Sequence, residues 1–257
     1  MLKKRLVGVI TVKDGQAVQS FGYKRYLPLG SPEILLENLD RWGVDEILLQ
    51  CIDCSRRSYG PNLALLEQIS SEGRSTPLIY SGGVDSEFSA VAAIQAGADR
   101  ICIDSLLHVS PQSVERISSR LGAQAVIASI PVTAGKGGVE WFDYRRQTSK
   151  PIGAELMGIL NDRVVSEAFV IDWQNEGVRQ GFNADLLGLF ASVNTPIIAF
   201  GGLSEPDQIK SVLSMPSVSA VAVGNFLAYK EHAVQTYKAC LAGLPIREAY
   251  YNRENYS

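Results

Sequence analysis

The stretch that decides the fold is "PLIYSGGVDS", Pro77–Ser86, because it returns as "PIIAFGGLSEPDQI", Pro196–Ile209. Each copy is a short β-branched and apolar run that stops at a Gly-Gly pair and leads into a helix-start signal, the pattern of a buried strand feeding a helix. The two pairs, Gly82-Gly83 and Gly201-Gly202, lie about 120 residues apart, roughly half of the 257-residue chain. Two further stretches repeat at the same distance. "GVDEILLQCID" (Gly43–Asp53) is answered by "VSEAFVIDWQ" (Val165–Gln174), and "ADRICIDS" (Ala98–Ser105) by "VSAVAVGN" (Val218–Asn225). A repeat of half the chain, with strand and helix signals in each copy, implies two half-barrels.

Working outward, eight strand candidates fall at 5–11, 45–51, 77–80, 99–104, 124–130, 167–172, 195–200 and 217–223, separated by helical-period segments. Eight βα units predict a closed (β/α)8 barrel, a TIM barrel made of two duplicated halves and filling 1–257 as one domain. The segment "TAGKGGVEWFDYRRQTSKP" (Thr133–Pro151) is too long for a βα turn. It reads as a hairpin over the barrel mouth, with Trp141, Tyr144, Arg145 and Arg146 at the rim. Its "GKGG" lacks the spacing and the Ser/Thr of a phosphate loop.

Composition narrows the function. A net charge of −3 argues against a general nucleic-acid or anionic-membrane binder, and no apolar run is long enough for a membrane span or signal peptide. The four cysteines form no disulfide framework, so a cytoplasmic protein is expected. "CIDC" (Cys51–Cys54) has metal or redox spacing. With two histidines in the chain and no second cysteine pair, a thiol pair is the better reading, and neither a metal nor a cofactor is expected.

In such a barrel ligands sit at the C-terminal strand ends, where Gly-Gly pairs let backbone N–H groups approach an anion. One phosphate site is expected from Gly177, Gly201, Gly202, Gly224 and Asn225. A second is expected from Gly82, Gly83 and Ser105, although Asp104 beside it is unfavourable to an anion.

The stretches "MLKKRLVGVITVKDG", "LGSPEILLENLDRWGVDEILLQCID", "PLIYSGGV", "AGADRICID", "NEGVRQGFNADLL" and "PIIAFGG" resemble the cyclase subunit of imidazole glycerol phosphate synthase, in one register from Met1 to about Cys240. "VAVGNFLAYKEHAVQTY" looks more like paralogues encoded with surface-polysaccharide genes. The resemblance implies a glutaminase partner and an ammonia entrance at the barrel bottom, guarded by four charged residues that match Arg5, Glu46, Arg100 and Glu167, with Asp99 at the glutaminase interface. It also places the family's two catalytic aspartates at Thr11 and Pro131, neither of which can exchange a proton near neutral pH. Asp53 and Asp172, related by the repeat, are candidate substitutes. Three functions are therefore carried forward. The first is ammonia-dependent modification of a phosphorylated or nucleotide-linked sugar in surface-polysaccharide synthesis, alone or with a third, sugar-amidating enzyme. The second is the histidine-pathway cyclase with replaced groups. The third is a phosphate-binding scaffold that regulates the glutaminase.

Overall fold

A computed structural model describes residues 3–57, 59–71, 73–228 and 232–249. Eight parallel strands close a barrel: β1 (Arg5–Lys13), β4 (Glu46–Cys51), β5 (Leu78–Ser81), β6 (Arg100–Ile103), β7 (Val126–Gly135), β10 (Glu167–Asp172), β11 (Ile197–Phe200) and β12 (Val218–Val223). Pairing of β1 with β12 and of β7 with β10 leaves no open edge. All eight expected strands are present, so the (β/α)8 fold is established.

Alternation along each strand builds the two layers. Val7, Val9, Leu48, Ile79, Ile127, Phe169, Ile198 and Ala222 fill the lumen. Their neighbours Leu6, Ile10, Ile47, Leu49, Ile101, Ala168 and Val221 pack outward under the helices. Helix α1 (Pro32–Trp42) shows how the outer layer is set. Ser31 caps its start, Pro32 opens it, and Gly43 ends it in the left-handed region at φ 82°. A Cβ on Gly8 of β1 would sit 2.8 Å from Leu39 of this helix, so the glycine sets how closely the two approach.

Two antiparallel hairpins stand on the barrel. The predicted one, β8 (Gly138–Asp143) with β9 (Thr148–Pro151), continues β7. A second, β2 (Gln16–Phe21) with β3 (Arg25–Gly30), continues β1, where the sequence patterns set no element. The two hairpins lie about 120 residues apart, so the duplication extends into them. "NADLLGLFASV", expected as an α-helix, is a 3-10 helix over Ala184–Phe190.

Candidate functional site

Both hairpins fold inward over the C-terminal strand ends and line a chamber that opens to solvent. Its floor is Gln50, Ser81, Ser129, Pro131 and Ile171, and its walls carry Tyr23, Tyr26, Phe142, Tyr144, Trp173 and Asp104. Phe142 stacks on Trp173 with ring centroids 3.7 Å apart.

Each hairpin is fastened to one half of the barrel. Asn225 clasps the backbone of Ser20, its Oδ1 accepting from the amide at 3.2 Å and its Nδ2 donating to the carbonyl at 2.6 Å. The Ser20 hydroxyl donates to buried Glu176 at 2.8 Å, and the Gly22 amide donates to the Glu176 carbonyl at 2.9 Å. Burial raises the Glu176 carboxyl above its usual range against these donors. On the other side, Arg145 Nη2 donates to the Ser55 carbonyl and to Ser105 Oγ, each at 3.1 Å, while Trp141 stacks on His108 at 3.4 Å.

Each hairpin also delivers a tyrosine to the chamber. Tyr144 Oη donates to Asp104 at 2.6 Å, and Tyr23 Oη donates to Gln50 at 3.1 Å. Burial and then the neighbouring carboxylate raise both phenols, the carboxylate being Asp104 for Tyr144 and Glu176 for Tyr23. Both therefore remain neutral donors at physiological pH.

The candidate acid–base positions scatter. Pro131 lies on the chamber floor. Thr11 is buried between Val18 and Gln50 and lines a smaller cavity with Leu29, Trp42 and Gly224. Asp53 accepts from the Asp14 amide at 3.1 Å and stands outside the chamber lining. Asp172 also stands outside the lining, accepting from Asn175 Nδ2 at 2.8 Å and the Asn183 amide at 2.9 Å, which organises the loop after β10. Burial raises its carboxyl. Asp104 is the one carboxylate of the chamber lining among the described residues.

The glycine-rich ends are built by close backbone approach. A Cβ on Gly82 would lie 2.3 Å from the Cys51 carbonyl oxygen, and one on Gly201 lies equally near the Asp172 carbonyl oxygen. A Cβ on Gly177 would strike the Ser20 carbonyl at 2.2 Å, and one on Gly202 the Asn175 carbonyl at 2.7 Å. Gly177 and Asn225 meet Ser20 of the first hairpin, whereas Gly201 lies against Asp172, Gly202 against Asn175 and Phe182, and Gly224 against Phe200. The structure sets Gly82, Gly83 and Ser105 beneath the second hairpin.

At the opposite end of the barrel, four side chains close a ring. Arg5 pairs with Glu46 at 2.6 Å and with Glu167; Arg100 pairs with Glu46 at 3.0 Å and with Glu167 at 2.7 Å. Burial raises the Glu46 carboxyl. At Glu167 the same burial is outweighed by Arg5, Arg100 and Ser219, which hold its carboxyl below the usual range. Asp99, nearby, accepts from Arg74 at 2.7 Å and from the Leu78 amide at 2.8 Å, with about half of its side chain exposed.

Sequence reasoning singled out Asp104 and Tyr144 but passed over Tyr23, Gln50, Ser81, Ser129, Phe142 and Trp173. The repeat held the missing signal, because it aligns Tyr23 with Tyr144 about 120 residues on. "CIDC" forms a thiol pair with both sulfurs buried and free, and no metal-holding group of three or more His, Cys, Asp or Glu occurs among the described residues. Among those residues, no helix is long and apolar enough to cross a membrane.

Comparison with known proteins agrees with this architecture. The chain is 28% identical over 253 residues to imidazole glycerol phosphate synthase subunit HisF of Pyrococcus furiosus, covering 96% of this chain and 99% of that one. It is 29% identical to the same subunit of Hyphomonas neptunium, with the same coverage. It is 27% identical over 241 residues to a provisionally named imidazole glycerol phosphate synthase subunit hisF2 of Vibrio vulnificus, covering 93% of this chain and 88% of that one. The family model described as histidine biosynthesis protein matches residues 5–233, nearly the whole barrel from the first ring arginine to the last helix, and the chain belongs to that family.

Proposed function

We propose that this barrel is the ammonia-receiving subunit of a synthase of the imidazole glycerol phosphate type, paired with a glutaminase and acting on a phosphorylated ligand at its mouth. The observation that carries the reading is the closed ring Arg5–Glu46–Arg100–Glu167 at the N-terminal end of the strands. Above the ring the lumen is apolar through Val7, Leu48, Ile79 and Phe169 before it meets Gln50, Ser81 and Ser129 at the chamber floor. Such a lining suits neutral ammonia and opposes ammonium, because an unpaired ion pays the full cost of desolvation there. Arg5 is the most exposed member of the ring, at 23%, and is the side chain best placed to swing aside. The phosphate is assigned to the end formed by Gly177, Gly201, Gly202, Gly224 and Asn225. Asp99 belongs to the glutaminase-facing side.

The names of the relatives favour imidazole glycerol phosphate synthesis over sugar modification. One observation favours the second reading, ammonia-dependent modification of a different, sugar-type ligand in surface-polysaccharide synthesis. Thr11 and Pro131 leave the family's acid and base positions without a titratable group, and Asp104 takes the place of chamber acid. General acid–base groups contribute ~10²–10⁴-fold each, so losing two strongly disfavours the family's own reaction.

Mixing the barrel with a glutaminase of this family and following glutamine hydrolysis tests the shared part of both readings. Stimulation is expected, and failure to bind or stimulate overturns them. Growth of a cyclase-deficient histidine auxotroph carrying this chain selects the first reading, and no growth alongside intact stimulation selects the second.

A further inference from the structure

The two hairpin tips carry the same charged motif. The first reads Tyr23-Lys24-Arg25 and the second Tyr144-Arg145-Arg146, and the repeat aligns the two triplets. In both, the tyrosine lines the chamber, and the cation next to it lines an outer vestibule that opens to solvent. Arg56, from the short helix after β4 (Ile52–Arg57), adds a third cation to the same vestibule. Tyr23, Tyr26, Tyr144 and Gln147 complete the lining, with no carboxylate in it among the described residues.

The three cations are held in place without being neutralised. The Lys24 ammonium stands 5.2 Å from the centroid of the Trp173 ring. Arg145 Nη2 donates to the Ser55 carbonyl and Ser105 Oγ, and Arg56 faces the Tyr26 hydroxyl. The neighbouring carboxylates have other partners. Asp14 pairs with Lys13 and Arg57, Asp143 accepts from the Arg145 and Arg146 amides, and Glu176 accepts from Ser20 Oγ and the Tyr23 amide. Among the described residues, no carboxylate forms an ion pair with Lys24, Arg56 or Arg145.

Below the vestibule the chemistry changes. The chamber lining holds Asp104, with Gln50, Ser81 and Ser129 on the floor, so it repels an anion and suits an uncharged group rich in hydroxyls. An anionic group is therefore favoured outside the chamber, at the three cations. A carboxylate would occupy one guanidinium, whereas three cations from three elements match a group with several phosphoryl oxygens. Because the vestibule is open, that group need not end the ligand. We infer that the mouth takes a sugar joined through a diphosphate to a larger group, with the diphosphate between the hairpin tips and the sugar in the chamber. Lys24, Arg56 and Arg145 hold the diphosphate at a position separate from the glycine-rich strand ends, none of which lines the vestibule. This rests on the phosphorylated ligand proposed above and narrows it to the sugar-type class.

Calorimetric titration of the full chain with UDP-glucose, UDP, glucose 1-phosphate and glucose provides the test. UDP-glucose is expected to bind at least ~10-fold more tightly than glucose 1-phosphate, with glucose weakest. The double variant Lys24→Gln, Arg56→Gln should weaken UDP-glucose at least ~10-fold, and Lys24→Arg with Arg56→Lys should keep most of the affinity. Ile171→Phe, which fills the chamber from its floor, should weaken UDP-glucose and leave UDP unchanged. Thermal melting of each variant establishes that it folds. Glucose 1-phosphate that binds as tightly as UDP-glucose, or UDP-glucose binding unchanged in the folded double variant, overturns the inference. Equal effects of Ile171→Phe on UDP-glucose and UDP overturn the placement of the sugar. Stimulation of the glutaminase by wild type is read separately. A barrel that stimulates and binds glucose 1-phosphate without these preferences loses this inference alone, whereas one that binds no phosphorylated probe overturns the phosphorylated-ligand reading with it.

Discussion

Tyr23 and Tyr144 stand about 120 residues apart on different hairpins, yet both hydroxyls reach into one chamber, the first to Gln50 at 3.1 Å and the second to Asp104 at 2.6 Å. The repeat places the same donor in both halves, beside a different acceptor in each. One half of the mouth holds a neutral pair, and the other holds a charged one.

That difference predicts unequal costs of removing the hydroxyl. A hydrogen bond to a charged group contributes ~1.5–3 kcal/mol and a neutral one ~0.5–1.5 kcal/mol. Tyr144→Phe is therefore expected to destabilise the fold more than Tyr23→Phe. Urea denaturation of the two variants beside wild type checks the ranking, and equal losses would contradict it.

The ring at the barrel bottom predicts a strong dependence on its partners. Each glutamate accepts from both arginines, and all four side chains are largely buried. Removing one member of a buried pair costs ~3–5 kcal/mol, because the remaining charge stays desolvated. Since Arg5 is partly exposed, Arg5→Met is expected at the low end and Glu167→Gln at the high end. Chemical denaturation reads the stability. Stimulation of a glutaminase measured on the same samples tests whether the ring also governs coupling.

His108 predicts a pH dependence. Burial against Trp141 lowers its pKa from 6.5 to about 4, with Asp143 and Asp104 raising it and Lys150 lowering it. The folded value lies below the unfolded one, so between pH 6.5 and about 4 the unfolded chain binds more protons and stability falls as pH falls. The loss amounts to roughly 1–3 kcal/mol, discounted for partial exposure. Unfolding free energies at pH 7 and pH 5, for wild type and His108→Phe, should show a shallower fall in the variant.

Gly201 predicts a local penalty. It adopts φ 109°, and a Cβ there would lie 2.3 Å from the Asp172 carbonyl oxygen. Gly201→Ala is expected to cost ~2–4 kcal/mol through backbone strain and displacement of the β10 end. Gly188, which has nothing within 4 Å of its would-be Cβ, serves as the control, with Gly188→Ala expected near neutral. Thermal melting of both variants checks the contrast.

The amino-acid sequence by itself determined the barrel. Runs such as "RLVGVIT" and "EILLQC" are buried on both faces, so their apolar character is continuous and legible without coordinates. The Gly-Gly echo revealed the duplication, because close backbone approach tolerates only glycine at Gly82 and Gly201. Thr11 and Pro131 carry no side chain that titrates near neutral pH, which is a property of residue type and legible without coordinates.

Only the tertiary structure decided which groups meet. Asp53, Asp104 and Asp172 look alike in sequence, each near a strand end. Asp53 and Asp172 hold loop backbone outside the chamber, while Asp104 lines it. The hairpin from Gln16 to Gly30 escaped the patterns because its strands lie partly exposed over the mouth, and half-polar strands carry little periodic signal. Residue type states what a group can do. The register of eight strands, and the two hairpins folded over them, set which partners each group has, because contacts between residues 40 or 205 positions apart exist only after the barrel closes.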